Sequence, residues 1–408
     1  MVTAELVEGH KPIVPPAGVP VWDVDPYDAA TLAEPSGYYA ELRHIGPFAY
    51  IPRYSTLACG RYDVTKEVFS DHTRFLSSRG IGLTDFSLDT PWRPPSIILE
   101  ADPPEHTKTR RVMARAMSPG AVTRLREEFQ REAEALIDRV LARGQIEGVT
   151  EIAEAYSGSV FPRAVGLRNI DVRKLVDYGA MVFNAVGPDN QLRRAAMAKG
   201  PTIVPWITAQ CERENLEPTG FGSDIYAAAD TGDLSPQEAA MLVRSLLSAG
   251  VDTTVTGIGS ALWALATNPE QFAKLKADPS LARNAFDETL RLTSPVHTFC
   301  RTAGLDTEVA GITIPEGAKI LCVLGAANLD AAQWPEPDRF DITRRASGHL
   351  AFGVGIHGCV GQNIARAEGE AILRALVQRV TRLELDGPAV WRPNNAMHAL
   401  DRLPLKLS

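Results

Sequence analysis

Apolar residues recur at helical spacing along most of the chain, and four stretches show the pattern clearly. Residues 122–142, 236–267, 279–291 and 361–383 each place apolar side chains on one face, which predicts long helices. The second stretch has a marked start, with Ser235 as N-cap, Pro236 at the first position and Glu238 at the third. A continuous helix over residues 236–267 would be about 48 Å long, enough to cross a protein of this size.

Strand patterns are short and come late in the chain. Residues 308–314 and 318–323 are rich in β-forming residues and flank the turn at residues 315–317, so they predict a hairpin. Many helices with few strands predict a mainly α fold. Residues 1–35 are rich in proline and predict an irregular strap belonging to the same unit, and residues 36–408 predict a single domain.

Composition narrows the class of protein without identifying a reaction. The chain has 408 residues, 45% of them hydrophobic, which is enough for a large buried core. A formal net charge of -8 argues against nucleic acid or an anionic membrane surface as the main partner. The start of the sequence lacks the basic and apolar runs of a signal peptide, and no run reaches the roughly 18 apolar residues of a membrane span. We expect a cytoplasmic protein whose main partner is a small molecule or another protein.

The cysteines show neither a disulfide framework nor a zinc site. The chain has five, widely scattered and without C-x-x-C spacing: Cys59, Cys211, Cys300, Cys322 and Cys359. An odd number of widely spaced cysteines is not typical of a disulfide-bonded protein, so we expect a reducing compartment.

One cysteine lies in an unusual setting, the segment at residues 352–361, which reads Phe-Gly-Val-Gly-Ile-His-Gly-Cys-Val-Gly and precedes a predicted helix. Glycines allow the backbone to approach the Cys359 sulfur closely, and the start of a helix stabilises a thiolate. The alternative interpretation is a glycine-rich turn in which the cysteine is only a small buried hydrophobe.

This decapeptide resembles the haem-binding loop of cytochromes P450. The resemblance implies a helical prism, triangular in outline, with small β-sheets at its edges and a long central helix over haem b. It also implies that the thiolate of Cys359 binds the haem iron and favours O–O cleavage, and that Phe352 contacts the haem.

A second motif, Glu288 and Arg291, places an acid and a base three residues apart on one helix face. Taken alone, such a pair is more often an ordinary surface ion pair. Its position before the cysteine loop resembles the buried ion pair of the same family, which an arginine near residues 338–340 would complete.

A third motif interrupts the apolar character of the predicted central helix. Asp252 and Thr253 lie in its middle, where polar side chains cost helix propensity and need partners. The alternative is a solvated face or a threonine that bonds to the preceding turn. The pair resembles the acid and alcohol of the family, in which the alcohol hydrogen-bonds dioxygen and the acid relays protons.

The resemblance also implies groups that contact the haem. Two propionate carboxylates require cations or other donors, and the positions that match the family are His106, Arg110, Arg301 and His357. Each of these alone would more often be a surface residue. Ala249 on the central helix matches a further haem contact.

Segments at residues 77–83, 92–102 and 244–250 resemble the bacterial subfamily that oxidises para-substituted benzoic acids. The resemblance implies that Arg93, Ser96 and Ser245 hold a substrate carboxylate, with Arg244 capping the site. The aromatic ring would be enclosed by Ile98, Leu99, Phe183, Val186 and Phe299. Val186 and Cys300 stand where we associate phenylalanine with the subfamily, so we expect a wider pocket that admits longer acids such as cinnamates.

Helix geometry agrees with this arrangement, since Ser245, Ala249 and Thr253 share one face of the predicted helix. Ser245 would lie about 12 Å along the axis from Thr253, a distance that one aromatic ring and its para substituent would span. Without the subfamily match, Arg93 in a Trp-Arg-Pro-Pro loop would more often cap backbone or pair on the surface.

The resemblance implies a monooxygenase that hydroxylates or O-demethylates an aromatic acid with dioxygen. No second, reductase-like domain is evident, so electrons from NAD(P)H would arrive through a ferredoxin and its reductase. Three alternatives stay open: a cytochrome P450 for a small hydrophobic substrate without a carboxylate, a haem-thiolate protein that does not oxygenate, and a peroxide-using enzyme. The Asp252–Thr253 pair favours dioxygen over the last two.

Overall fold

Helices dominate the architecture, as the sequence predicts. The structure is a computed structural model that describes residues 9–408. Its helices are α1 Ala29–Ala33, α2 Ser36–Ile45, α3 Tyr62–Ser70, α4 Glu105–Ala116, α5 Pro119–Leu141, α6 Ala155–Val165, α7 Val172–Asn184, α8 Gln191–Met197, α9 Gly200–Gln210, α10 Phe221–Asp230, α11 Pro236–Ala249, α12 Asp252–Thr267, α13 Pro269–Ala277, α14 Ala282–Thr293, α15 Leu324–Ala327 and α16 Gln362–Arg379.

The strands form small sheets around this helical body. They are β1 Ala49–Ile51, β2 Thr56–Cys59, β3 Phe75–Leu76, β4 Gln145–Glu147, β5 Thr298–Ala303, β6 Thr307–Val309, β7 Ile312–Ile314, β8 Lys319–Val323, β9 Leu383–Leu385, β10 Val390–Arg392, β11 Ala399–Arg402 and β12 Pro404–Leu407. The largest sheet has the order β1-β2-β8-β5-β3, with β8 parallel to β2 and antiparallel to β5. The predicted mainly α fold is confirmed.

The main hydrophobic core lies where α16 packs against α5 and α14, and where α12 packs against α14. Fully buried side chains such as Phe129, Phe161 and Phe286 fill it. Helix starts follow local chemistry: Ser118 caps α5 before Pro119, and the predicted capping box of Ser235 and Glu238 at α11 is confirmed. Helices α5, α14 and α16 begin and end within a few residues of their predicted limits, α16 stopping before β9.

The long central helix predicted over residues 236–267 is wrong in one respect, because it is broken at residues 250–251 into α11 and α12. The aromatic ring of Phe161 on α6 packs directly against Gly250, where any Cβ would lie 2.1 Å from a ring carbon. At the break, the Thr253 and Thr254 hydroxyls donate to the carbonyls of Ala249 and Gly250, at 2.6 and 3.2 Å.

The hairpin predicted between residues 308–314 and 318–323 is also wrong. The first segment itself folds into a hairpin, β6 with β7, around a turn in which Ala310 and Gly311 have positive φ. Strand β8 instead pairs with β2 and β5 in the largest sheet. The turn at residues 315–317 therefore links two sheets and does not close one.

The proline-rich segment before α1 runs along the largest sheet over its described part, residues 9–28. The Val21 backbone bridges Tyr50 of β1, and the Ile13 amide donates to the Ser55 hydroxyl at 2.9 Å. Residues 1–8 of the predicted strap lie outside the described residues.

The Glu288–Arg291 pair is buried, as the resemblance implied, with both side chains inaccessible to solvent. Its third member is Arg344, whose Nε donates to Glu288 Oε1 at 3.0 Å. The arginine predicted near residues 338–340 is therefore Arg344 and not Arg339, which points outward and pairs with exposed Glu336. Only the Arg339 carbonyl joins the network, where it accepts from Arg291 at 3.3 Å.

Candidate active site

A large cavity lies between the broken helix, α11 and α12, and the cysteine loop before α16. It encloses about 1610 Å³ of space free of protein atoms, part of which is open to solvent. Cys359 and Thr253 line it together with Arg93 and Ser245, so residues that are far apart in the sequence face one space. Of the residues predicted for the site, the following line this cavity: Arg93, Ser96, Ile98, Leu99, Arg110, Phe183, Val186, Ser245, Ala249, Thr253, Phe299, Arg301, Phe352, His357 and Cys359.

Backbone N–H groups surround the Cys359 sulfur at one end of the cavity. Burial raises the pKa of this thiol, while the Gly361 N–H and the Arg110 guanidinium act in the opposite direction by favouring the thiolate. The chain reaches this geometry because Gly353 and Gly355 adopt positive φ, and because α16 begins at Gln362 directly after the loop. The sulfur can therefore act as a ligand for a metal centre held in the cavity.

Buried cationic and imidazole groups around the same end have donors without acceptors. Arg301 is 1% exposed, yet its Nη2 has no hydrogen-bond partner, and the same is true of His106 Nε2 and His357 Nδ1. His106 does not line the cavity but packs against His357, with ring centroids 4.4 Å apart and ring planes tilted by 57°. Buried donors of this kind need partners, and the two carboxylates of a haem supply them. The residues present therefore fit a haem with a thiolate ligand.

The predicted acid and the predicted alcohol are adjacent residues of α12, but they line different cavities. Thr253 lines the main cavity, whereas Asp252 lines a second, smaller cavity together with Glu154 and Arg392. Asp252 Oδ1 lies 3.6 Å from Arg392 Nη2, while Asp252 Oδ2 is buried without a partner. Burial raises the pKa of Asp252, and the Arg392 charge opposes that change. The acid is therefore buried beside a cation in the smaller cavity, apart from the cavity that Thr253 lines.

Polar groups gather again at the other end of the cavity. The Ser96 and Ser245 hydroxyls lie 3.2 Å apart, and Arg93 beside them has a buried Nε without a partner. Arg93 also donates to Glu100 at 3.0 Å and to the Pro94 carbonyl at 2.9 Å. Arg244 does not line the cavity, but its Nη2 donates to the same Pro94 carbonyl at 2.9 Å.

Apolar side chains enclose the space between the two polar ends. The rings of Phe183 and Phe299 lie nearly parallel, with centroids 6.4 Å apart, and Val186 contacts the same cluster. The expectation that Cys300 widens the pocket is wrong, because successive residues of a strand face opposite sides and Cys300 is buried in another cluster behind β5. Of the two positions that differ from the subfamily, Val186 and Cys300, only Val186 faces the cavity.

Sequence reasoning assigned no role to several residues that the structure brings to these spaces. Glu100 contacts Arg93 and the Ser96 amide, a relation that its spacing of four residues from Ser96 could have suggested. Arg392 reaches Asp252 from β10, and Phe161 sets the helix break from α6. No local pattern connects these last two residues to the central helix.

The fold and the cavity together define a haem-binding protein of the thiolate class. A family model described as Cytochrome P450 matches residues 212–400. Cytochrome p450 CYP199A2 of Rhodopseudomonas palustris is 48% identical over 410 residues, covering 100% of both chains. The 6-deoxyerythronolide B hydroxylase of Saccharopolyspora erythraea is 33% identical over 75% of this chain and 77% of its own. The solved structure of cytochrome P450 CYP109Q5 from Chondromyces apiculatus is 29% identical, with a TM-score of 0.80 over 95% of this chain and 98% of its own. The chain belongs to the cytochrome P450 family.

This membership confirms the implied class of reaction, its cofactor and the P450 fold. The protein is a monooxygenase that uses haem b and dioxygen, with electrons derived from NAD(P)H and delivered by partner proteins. Among residues 9–408, no helix has both the length and the apolar character that a membrane span requires.

Proposed function

We propose that this monooxygenase hydroxylates or O-demethylates a para-substituted aromatic carboxylic acid of the benzoate or cinnamate type, with electrons from an iron-sulfur ferredoxin and its reductase. The observation that carries the proposal is the buried, unpartnered Nε of Arg93 at the end of the cavity remote from Cys359. A buried guanidinium N–H without an acceptor is costly, and a substrate carboxylate would satisfy it.

Two serine hydroxyls complete the proposed anchor. Ser96 and Ser245 approach from a loop and from α11, and each hydroxyl also makes a backbone contact that fixes its position. Arg244 would stabilise the anchor indirectly, because it donates hydrogen bonds to the Pro94 and Pro95 carbonyls of the loop that carries Arg93. A carboxylate in this position would receive the charged Arg93 donor, and the hydroxyls would donate to it in place of their present acceptors, which for Ser245 is the Met241 carbonyl.

The apolar walls favour a flat substrate lying between the two polar ends. Phe183 and Phe299 flank the space with nearly parallel rings, and Ile98, Leu99 and Val186 close it from other sides. A ring anchored by a carboxylate would direct its para substituent toward the end that holds Cys359 and Thr253. The smaller side chain at Val186 leaves room for a spacer between ring and carboxylate, as in a cinnamate.

The residues at the Cys359 end of the cavity would have separate roles in haem binding and in proton transfer. Cys359 would hold the haem iron, and Arg110, Arg301, His357 and His106 would hold its propionates, with Ala249 and Phe352 in contact with the macrocycle. The haem, when bound, supplies the activation of dioxygen. The Thr253 hydroxyl would donate a hydrogen bond to dioxygen in the cavity, and Asp252 would pass protons toward it from the second cavity.

Replacing Thr253 by alanine is expected to uncouple electron consumption from product formation. Substrate binding and nicotinamide oxidation should continue, but more of the reducing power should appear as hydrogen peroxide because proton delivery is no longer directed. Peroxide and product are measured per nicotinamide consumed. Thr267→Ala is the control, since this threonine bonds back to Trp263 on the same helix but lies outside the cavity. An unchanged product yield in Thr253→Ala would refute the role of this hydroxyl.

The anchor predicts a preference for an acid over its ester. Para-methoxybenzoate should bind the wild-type holoprotein about 10- to 150-fold more tightly than its methyl ester, because a charge-assisted hydrogen bond contributes roughly 1.5 to 3 kcal/mol. Arg93→Gln should remove most of this preference. Ser245→Ala should weaken acid binding by only about 2- to 13-fold, since a neutral donor contributes about 0.5 to 1.5 kcal/mol. Equilibrium titrations of both ligands measure these values.

Arg74→Gln is the matched control for Arg93→Gln, because Arg74 pairs with Asp71 and Glu67 away from the cavity. One observation favours the second candidate function, a small hydrophobic substrate without a carboxylate: Arg93 already pairs with Glu100. In that case the ester would bind wild-type protein as tightly as the acid, and the aromatic acid proposal would fall.

A further inference from the structure

The anchor end of the cavity holds two guanidinium groups side by side. Arg93 Nη1 and Arg244 Nη2 both donate to the Pro94 carbonyl oxygen, each at 2.9 Å, so the two positive charges are neighbours. Burial and the Arg93 charge lower the pKa of Arg244, but an arginine stays protonated at neutral pH even so. Like charges at such a separation need an anion nearby.

Glu100 supplies one negative charge to this pair. Its Oε2 accepts from Arg93 Nη1 at 3.0 Å and from the Ser96 amide at 2.6 Å. Its side chain is 6% exposed. Within residues 9–408, no other carboxylate lies within ion-pair distance of either guanidinium.

The remaining titratable neighbours of the two arginines carry no charge near neutral pH. Burial raises the pKa of Tyr178, and it raises that of Cys211 to about 12. The anchor therefore has two positive charges and one negative charge. One positive charge is left without compensation, and it matches one monoanionic group.

We propose that Glu100 is a specificity-determining residue that sets the anchor charge to a single excess positive charge, so that the cavity selects monoanionic over dianionic substrates. This inference rests on the proposed carboxylate anchor and specifies its ligand class. A dianionic head group in the same position would leave one buried negative charge unpaired and close to the Glu100 carboxylate. An unpaired buried charge is strongly unfavourable.

The test compares two ligands with the same ring and para substituent. Para-methoxybenzoate is a monoanion at neutral pH, and para-methoxyphenyl phosphate is a dianion above its second pKa of about 6. Dissociation constants are measured by equilibrium dialysis with the wild-type, Glu100→Gln and Glu100→Asp holoproteins. The quantity of interest is the dissociation constant of the phosphate divided by that of the benzoate, which cancels general effects of a substitution on the pocket.

Wild-type protein should favour the benzoate. Glu100→Gln should lower the ratio about 10-fold or more, because a repulsion between charges a few ångströms apart is removed in a partly desolvated site. Glu100→Asp keeps the charge and should keep a ratio close to that of the wild type. If Glu100→Gln leaves the ratio unchanged, Glu100 only holds the Arg93 loop and the proposal is overturned.

A measurement on the wild type alone keeps the proposal testable if Glu100→Gln does not fold. The phosphate should bind more weakly at about pH 7.5 than at about pH 5, as it becomes a dianion, relative to benzoate over the same range. Equal or tighter binding of the dianion contradicts the inference. Failure of the anchor itself is distinguishable, because the methyl ester of para-methoxybenzoate would then bind wild-type protein as tightly as the acid.

Discussion

Substitution of Cys359 by alanine should abolish the spectroscopic signature of thiolate ligation completely. The reduced wild-type protein with carbon monoxide should show the long-wavelength Soret band of a haem-thiolate centre, and the Cys359→Ala variant should lack it. The reason is that no other cysteine lines the cavity within the described part of the chain, so no second thiolate can replace the lost ligand.

Cys211→Ala is the matched control for this experiment. Cys211 is also a free, buried cysteine, but it follows α9 and does not line the cavity. Its replacement should leave the band in place. Persistence of the long-wavelength band in Cys359→Ala would show that the ligand assignment is wrong.

Replacement of Glu288 by alanine is expected to destabilise the fold by about 3–5 kcal/mol, because it leaves buried arginines without their anion. Glu288 accepts from Arg291 at 2.7 and 2.9 Å and from Arg344 at 3.0 Å, and the Arg291 side chain is wholly buried. Chemical denaturation of the holoprotein, followed by circular dichroism, measures the free energy of unfolding.

Glu336→Ala provides the comparison for Glu288→Ala. Glu336 also pairs with an arginine three residues away, Arg339, but its side chain is 70% exposed. Exposed ion pairs contribute at most about 1 kcal/mol, so this variant should unfold almost as the wild type does. A loss in Glu288→Ala no larger than the loss in Glu336→Ala would contradict the structural role of the buried network.

Local sequence patterns predicted the parts of the fold that local chemistry controls. The start of α11 follows from its capping box, and the cysteine loop follows from glycines that adopt positive φ before a helix. The break at Gly250 could not be predicted in this way, because the ring that occupies the space of its absent side chain belongs to Phe161 on another helix. The partners of β8 were likewise missed, since β2 pairs with it from a distant part of the chain.

In the candidate site, too, features set by local sequence could be predicted, and features set by contacts with distant residues could not. Thr253 and Cys359 could be chosen from their own segments, and the structure brings both to one cavity. An arginine near residues 338–340 was predicted to complete the buried Glu288–Arg291 pair, but the sequence alone did not distinguish Arg344, which does so, from Arg339, which pairs at the surface. Asp252 and Thr253 line different cavities although they are adjacent in α12, and this was not visible in the local pattern because Arg392, which helps to form the smaller cavity, comes from a distant part of the chain.

The position of a bound aromatic acid tests the central claim most directly. A crystal structure of the holoprotein with para-methoxybenzoate should show the carboxylate against Arg93, Ser96 and Ser245, the ring between Phe183 and Phe299, and the methoxy group toward the Cys359 end of the cavity. A ligand bound in the reverse direction, with its carboxylate near Thr253 and no contact to Arg93, would contradict the account.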